Sequence, residues 1–252
     1  MQYLKKIKGL VARHKNSHEQ SLPAISKSEY VRQMFDKLAV DYDLMNNIIS
    51  FGRHNSVKKQ VINNVQIKAG MKILDVCTGT GDIPIFIAKK FNDAVKITGV
   101  DFSEKMLEIA AKRTKKYKNI EFITADALNL PFEDDSFDVV FISFGLRNLI
   151  DLRKGIIELK RVTKKGGYVV NLDMGKPKGI LGQIFRLYFF GLVPLLGKLI
   201  HGSSEPYVYL PESCESFPDQ DELVRIFYEL GFDDVINYNF AFGALAGHVA
   251  VV

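Results

Sequence analysis

The chain is predicted to be α/β, with a doubly wound, mostly parallel sheet of seven strands. Helices should cover both faces, and a helical extension should precede the sheet. Three observations predict this. Short apolar runs alternate with helix-length amphipathic stretches from Met71 onward. A glycine turn joins the first run to the first helix of that series. Polar side chains recur where runs end, at Asp75, Asp101, Asp126 and Ser143. In an open parallel sheet the carboxyl ends of the strands are where ligands bind.

The elements follow in order. Residues 1–26 form a basic amphipathic arm, with Tyr3, Leu4, Ile7, Leu10 and Val11 at helical spacing and lysines between them. Such a helix suits an anionic membrane surface; a solvated, frayed terminus is the plainer account. Residues 27–252 read as a single domain. Its first part, 27–66, is helical: Tyr30, Val31, Met34, Phe35, Leu38 and Ala39 make a stripe of helical period. Lys72–Cys77 is the first strand, and a helix follows the glycine turn to Phe91. Val95–Val100 is the second strand, ending at Asp101, and Ser103 starts a helix over 103–116. Ile120–Thr124 is the third strand, ending near Asp126. Phe137–Phe144 is the fourth, 151–163 is helical, and Gly167–Leu172 is the fifth strand after a Gly-Gly turn. Residues 180–200 are strongly apolar, broken by Pro194 and glycines, and read as a helix leading into an apolar cover over 180–215. A helix from Asp219 to Leu230 and strands near 232–240 and 243–251 complete the chain.

Composition narrows the class. With 47% hydrophobic and 25% charged residues, the chain can build a full core, which excludes disordered and collagen-like classes. Two cysteines, Cys77 and Cys214, exclude a disulfide-stapled domain and form no metal-ligand spacing; a reducing cytoplasm is expected. His14 and His18 lie four apart, but no metal is expected. No apolar run is long enough to cross a membrane, and no secretory signal is evident. The net charge is +5, but Lys5, Lys6, Lys8, Arg13 and Lys15 against Glu19 put +4 of it in the first 20 residues. No domain face is basic, so no nucleic-acid partner is expected.

The glycine turn runs Asp75-Val76-Cys77-Thr78-Gly79-Thr80-Gly81. Glycines let a ligand approach the backbone closely. The nicotinamide fingerprint would need a third glycine at position 84, which is Pro84. The acid before the turn also sits poorly beside a pyrophosphate. It suits a ligand carrying an ammonium and a sulfonium, such as S-adenosylmethionine. Asp101 lies 22 residues beyond Gly79, placed to accept from a ribose diol. Asp126 could accept from an adenine amino group, with Val76, Cys77 and Phe102 as apolar walls. Each acid alone also reads as a helix cap or a solvated turn.

Three segments then carry a family resemblance: Tyr42-Asp43-Leu44-Met45-Asn46-Asn47-Ile48-Ile49-Ser50-Phe51-Gly52-Arg53-His54, Ile142-Ser143-Phe144-Gly145-Leu146-Arg147-Asn148, and Arg161-Val162-Thr163-Lys164-Lys165-Gly166-Gly167-Tyr168-Val169-Val170. Tyr209-Leu210-Pro211-Glu212-Ser213 adds to them. The chain resembles the class I S-adenosylmethionine-dependent methyltransferases, with their Rossmann-like sheet. Within them it is most similar to the UbiE/MenG type that C-methylates polyprenyl quinols in menaquinone and ubiquinone biosynthesis. It departs at Val57, where the family usually has tryptophan, and at Cys77-Thr78-Gly79, where a glycine-rich variant is common.

The resemblance implies S-adenosylmethionine as cofactor, held by Thr80, Asp101, Asp126-Ala127 and Ser143, beside Asp75, Gly79, Gly81 and Phe102 from the strand-end reading. It implies a polyprenyl quinol as substrate, demethylmenaquinol foremost, with 27–66 as a cap on the substrate side. Ring methylation needs an electron-rich ring, so Arg147 is expected to favour a phenolate. Asn148 would orient a ring oxygen and His54 would act as base, with Tyr42, Asp43 and Asn46 closing the site. A salt bridge for Arg147 and a capped-turn role for His54 are the plainer accounts. The apolar 180–200 stretch would cover the prenyl tail, touch the inner membrane face transiently, pack into the core or form a homodimer. Rival functions are methylation of another small lipophilic molecule and a non-catalytic S-adenosylmethionine-binding protein at the membrane surface.

Overall fold

The computed structural model describes residues 27–39, 46–47, 50, 52–193 and 205–252. The arm 1–26, Tyr42, Asp43 and residues 194–204 lie outside the described residues. Two helices come first, α1 (Lys27–Leu38) and α2 (His54–Asn63). The sheet series follows: β1 (Lys72–Val76), α3 (Asp82–Phe91), β2 (Lys96–Asp101), α4 (Glu104–Thr114), β3 (Ile120–Thr124), β4 (Phe137–Ser143), α5 (Leu152–Val162) and β5 (Thr163–Met174). Then come α6 (Gly179–Leu187), α7 (Glu205–Ser216), α8 (Gln220–Glu229), β6 (Asp234–Phe240) and β7 (Leu245–Val251).

The seven strands form one sheet in the order β3-β2-β1-β4-β5-β7-β6. β1 to β5 are parallel, and β7 runs antiparallel to both β5 and β6. β4 is apolar on both faces because helices cover each side, as parallel sheets require. Along β4, Val140 and Ile142 join a core with Ile156, Leu159 and Phe227, while Val139 and Phe141 join a second core with Val61, Ile83 and Ile87. That alternation is the period of two expected of a strand. A third cluster sits at the end of β5 beside Met174: Met34 and Leu38 of α1 pack with Phe189, Val193, Tyr209 and Leu210.

Two elements differ from expectation. β5 begins at Thr163 and not at Gly167. Phe137 pairs with Thr163, but Val139 pairs with Tyr168, so the expected Gly-Gly turn is present as an excursion inside the strand. Gly166 has φ +74°, and a Cβ on Gly167 would lie 2.7 Å from the Asp138 carbonyl oxygen, so both glycines are needed to make it. The stretch after α6 continues as a π-helical turn over Tyr188–Leu192, which presents Phe189 to the third cluster. α7 was not expected, because Pro211 lies within it.

Candidate active site

Strand order makes the site. From β1 the chain moves outward to β2 and β3, then returns to place β4 on the other side of β1. Connections leaving the carboxyl ends of β1 and β4 therefore diverge and leave a crevice. Cys77 follows β1 and Phe144 follows β4, both in the left-handed region at φ +56° and +57°. Such backbone costs about 1–2 kcal/mol per residue outside glycine and turns each chain sharply off the sheet. The two turns touch: a Cβ on Gly145 would lie 2.7 Å from Cys77 Cβ and 2.9 Å from its Sγ. Burial pushes the Cys77 thiol up.

The glycine turn is tied from beneath by two acids. Thr78 Oγ1 donates to Asp75 Oδ2 at 2.6 Å. The Gly79 N–H donates to Asp101 Oδ2 at 2.8 Å, and the Ser103 N–H donates to Asp101 Oδ1 at 3.0 Å. Asp75 is 1% exposed, and its Oδ1 has no hydrogen-bond partner among the described residues. Burial pushes Asp75 up to about 7, against the opposing Thr78 bond. Burial likewise pushes Asp101 up to about 6, against the N–H groups of Ser103, Gly79 and Phe102.

Asp75, Gly79, Thr80 and Ser143 line one cavity in this crevice, and Lys58, Thr78 and Asp82 line it with them. Lys58 Nζ donates to Asp82 Oδ2 at 2.8 Å, and Arg113 reaches Asp82 Oδ1 at 2.7 Å and Thr80 Oγ1 at 2.7 Å. Burial works to raise Asp82, but the Lys58 and Arg113 charges outweigh it and hold the carboxyl below its usual range. Gly81, at φ +84°, caps α3 beneath the cavity. Phe102 follows β2 half-buried, and Ala127 is buried beyond β3. Asp126 is exposed, and its Oδ1 accepts from the Leu128 N–H at 2.9 Å, the solvated-turn arrangement.

Arg147 and Asn148 lie in a short turn after β4, Leu146–Asn148. Arg147 Nη1 donates to Asp173 Oδ1 at 2.7 Å and to the Phe144 carbonyl at 2.8 Å. The pair is buried, with side chains 7% and 1% exposed. The plainer account of Arg147, a salt bridge, is therefore realised. Asn148 Nδ2 donates to the same Phe144 carbonyl at 3.1 Å, and the Tyr209 hydroxyl of α7 donates to Asn148 Oδ1 at 3.2 Å. Tyr209 in turn stands edge-on to Tyr30 of α1 at 6.1 Å.

His54 is buried at the start of α2. The Ser50 hydroxyl donates to the Asn46 carbonyl at 2.6 Å and lies 3.1 Å from His54 Nδ1. With that hydroxyl hydrogen committed, Nδ1 is the donor and the basic lone pair falls on Nε2. His54 is thus tied through Ser50 into the turn before α2, and Asn46 enters that turn through its backbone. Among the described residues no group of His, Cys, Asp or Glu could hold a metal ion. Lys58, Thr78, Asp82, Asp173 and Tyr209 are site residues that the sequence reading does not assign. Lys58 sits in the apolar stripe of α2 with Val61 and Ile62, and that misplaced charge was the available signal. Tyr209 belongs to the Tyr209–Ser213 segment, where no local pattern marks a role for it.

Comparison with known proteins places this geometry. The model of the ubiE/COQ5 methyltransferase family matches residues 24–252. A demethylmenaquinone methyltransferase of Staphylococcus haemolyticus is 41% identical over 225 residues, covering 89% of this chain and 94% of that protein. One of Staphylococcus aureus strain JH9 is also 41% identical, with 93% of it covered. Among solved structures, an Aquifex aeolicus SAM-dependent methyltransferase superposes with a TM-score of 0.58 at 23% identity, covering 77% of this chain and 89% of that one. Haemonchus contortus phosphoethanolamine N-methyltransferase 2, solved with S-adenosyl-L-methionine, gives 0.67 at 20% identity, covering 90% and 60%. The fold is theirs, and the chain belongs to the ubiE/COQ5 methyltransferase family.

Proposed function

We propose that this methyltransferase carries a methyl group from S-adenosylmethionine to a ring carbon of a polyprenylated quinol, with demethylmenaquinol as its substrate. One observation carries the cofactor reading: the buried, unpartnered Asp75 Oδ1 on the glycine-walled cavity. An unpaired buried acceptor costs about 1–3 kcal/mol, more when charged. A cationic ligand beside it removes that cost. Asp101, tied to Gly79 and Ser103, is a fixed acceptor for sugar hydroxyls. Bound there, S-adenosylmethionine supplies an electrophilic methyl group. The quinol reading is supported by relatives named demethylmenaquinone methyltransferases, most of whose length the chain covers.

The chain's own residues then have defined work. A ring carbon beside a phenolate is the nucleophile, so the quinol must lose a hydroxyl proton, and the methylated carbon must lose its hydrogen to restore the ring. His54, buried at the start of α2, is the base this reading assigns. Arg147 is held by Asp173, so it acts less as a free charge than as a fixed donor toward the ring oxygen. Asn148, fixed by Phe144 and Tyr209, orients that ring. The cap of α1, α2 and α7 excludes water from the methyl.

A lipid substrate implies contact with lipid. Ile180, Leu181, Ile184 and Leu187 on the outer side of α6 are more than half exposed, and Phe242 nearby is 84% exposed. Leu181, Ile184 and Phe242 border an apolar groove with Pro177, Phe185 and Tyr188. This face supports transient docking on the inner membrane surface; no described helix is long and apolar enough to span one. The test of function is methyl transfer from labelled S-adenosylmethionine, in detergent, to short-chain demethylmenaquinol and to the methoxy-polyprenyl benzoquinol. Label chiefly on demethylmenaquinol is expected. Preference for the benzoquinol would move the enzyme to the ubiquinone branch. Cofactor binding with no labelled product would favour the non-catalytic reading.

A further inference from the structure

Lys58 is out of place on physical grounds. Its neighbours on α2, Val57, Val61 and Ile62, are buried against the sheet, and its own side chain is only 9% exposed. Taking an ammonium out of water costs several kcal/mol, and a single ion pair repays that poorly. Its anionic partner is also shared, because Asp82 holds Arg113 as well. An ammonium has three N–H donors; Lys58 gives one, to Asp82, with the Phe144 ring 5.8 Å away. On the same cavity Asp75 offers a buried oxygen with no partner. The cavity therefore presents a cation with donors to spare and an anion with an acceptor to spare. Those two groups complement the two ends of a zwitterionic α-amino acid.

We propose that Lys58 binds the α-carboxylate of the cofactor's amino-acid end, while Asp75 takes its α-ammonium. The proposal rests on the cofactor reading above. It makes the cap helix α2 part of the cofactor site, so that the bound cofactor ties the cap to the sheet. A structural role, in which Lys58 only fastens α2 to α3 through Asp82, is the competing account.

The two are separated by calorimetric binding of S-adenosylhomocysteine and of its decarboxylated analogue, which lacks only the carboxylate. The full-length chain should bind S-adenosylhomocysteine roughly 10- to 100-fold more tightly, as a charge-assisted hydrogen bond predicts. Lys58→Met should erase that difference by weakening S-adenosylhomocysteine alone, and Lys58→Arg should restore most of it. Equal loss for both ligands, or no loss for either, would overturn the proposal. If Lys58→Met fails to fold, the wild type still decides, since discrimination below about 3-fold leaves no carboxylate contact to explain. Failure of the wild type to bind either ligand would remove the cofactor reading itself.

Discussion

Asp75 and Asp101 are both raised by burial, to about 7 and about 6. Between pH ~4 and ~7 the folded chain therefore holds more protons than the unfolded chain. Stability of the ligand-free protein should fall as pH rises through that window and level off above it. A cationic ligand needs Asp75 charged, so S-adenosylhomocysteine should bind more tightly as pH rises through about 7. Asp75→Asn should raise Tm at pH 8 by roughly 2–4 °C per kcal/mol of relieved burial cost. It should also weaken S-adenosylhomocysteine at least tenfold and remove the pH slope, read by calorimetry and thermal melts. A lowered Tm with intact affinity would make Asp75 a structural carboxylate. Arg147 asks for a gentler change, because removing one member of its buried pair with Asp173 costs about 3–5 kcal/mol. Arg147→Lys keeps the charge but loses the fork. It should fold, keep cofactor affinity within about 3-fold, and lose roughly 10²-fold in turnover, the scale of one lost transition-state donor. Equal turnover would take Arg147 out of the mechanism. The acids were legible because each sits in or just beyond its strand. The Arg147–Asp173 pair was not, because its partners are joined only by the β4–β5 register.

The sheet elements were legible as elements, and those of the cap were only half so. β1 to β4 carry their own apolar runs, and Ser103 caps α4 as read, accepting from the Met106 N–H at 3.2 Å. Nothing local reveals that Ser103 Oγ also donates to Asp36 of α1 at 2.5 Å. That bond joins the cap to the helix beginning beside Asp101. Ser103→Ala removes a cap and strands a half-buried carboxylate, so it should cost about 1–3 kcal/mol in urea unfolding. A cost under about 0.5 kcal/mol would mean that α1 is not held there. α7 was hidden by Pro211, which lacks the N–H a helix interior needs. α6 was read as apolar, but its two sides differ: Phe185 and the following Phe189 stack at 5.0 Å within the cap, while Ile184 and Leu187 face out. The double change Ile184→Asp and Leu187→Asp should abolish sedimentation with anionic vesicles and leave S-adenosylhomocysteine affinity intact. Unchanged sedimentation would remove the membrane role. A wild-type dimer that ignores vesicles, and that the double change dissociates, would assign the face to a second copy.

At the scale of the whole molecule, a mostly parallel sheet opens a crevice between β1 and β4, and the proposed function gives the acceptor side to the helices α1, α2 and α7. The first half follows from patterning, since parallel strands must be buried on both faces and must open at their carboxyl ends. The second half rests on contacts between distant segments, such as Tyr30 with Tyr209 and Tyr209 with Asn148. No single stretch of sequence encodes those. On the proposed function, the ring carbon of the quinol, made nucleophilic by reduction, attacks the sulfonium methyl of the cofactor. The measurement that tests this most directly is an anaerobic assay with labelled S-adenosylmethionine and one short-chain demethylated naphthoquinone, presented in reduced and in oxidised form. The account predicts label on the ring carbon of the quinol, at least 10²-fold faster than on the quinone, with the product a C-methyl by mass spectrometry. Equal rates on both forms, or label on a ring oxygen, would contradict it.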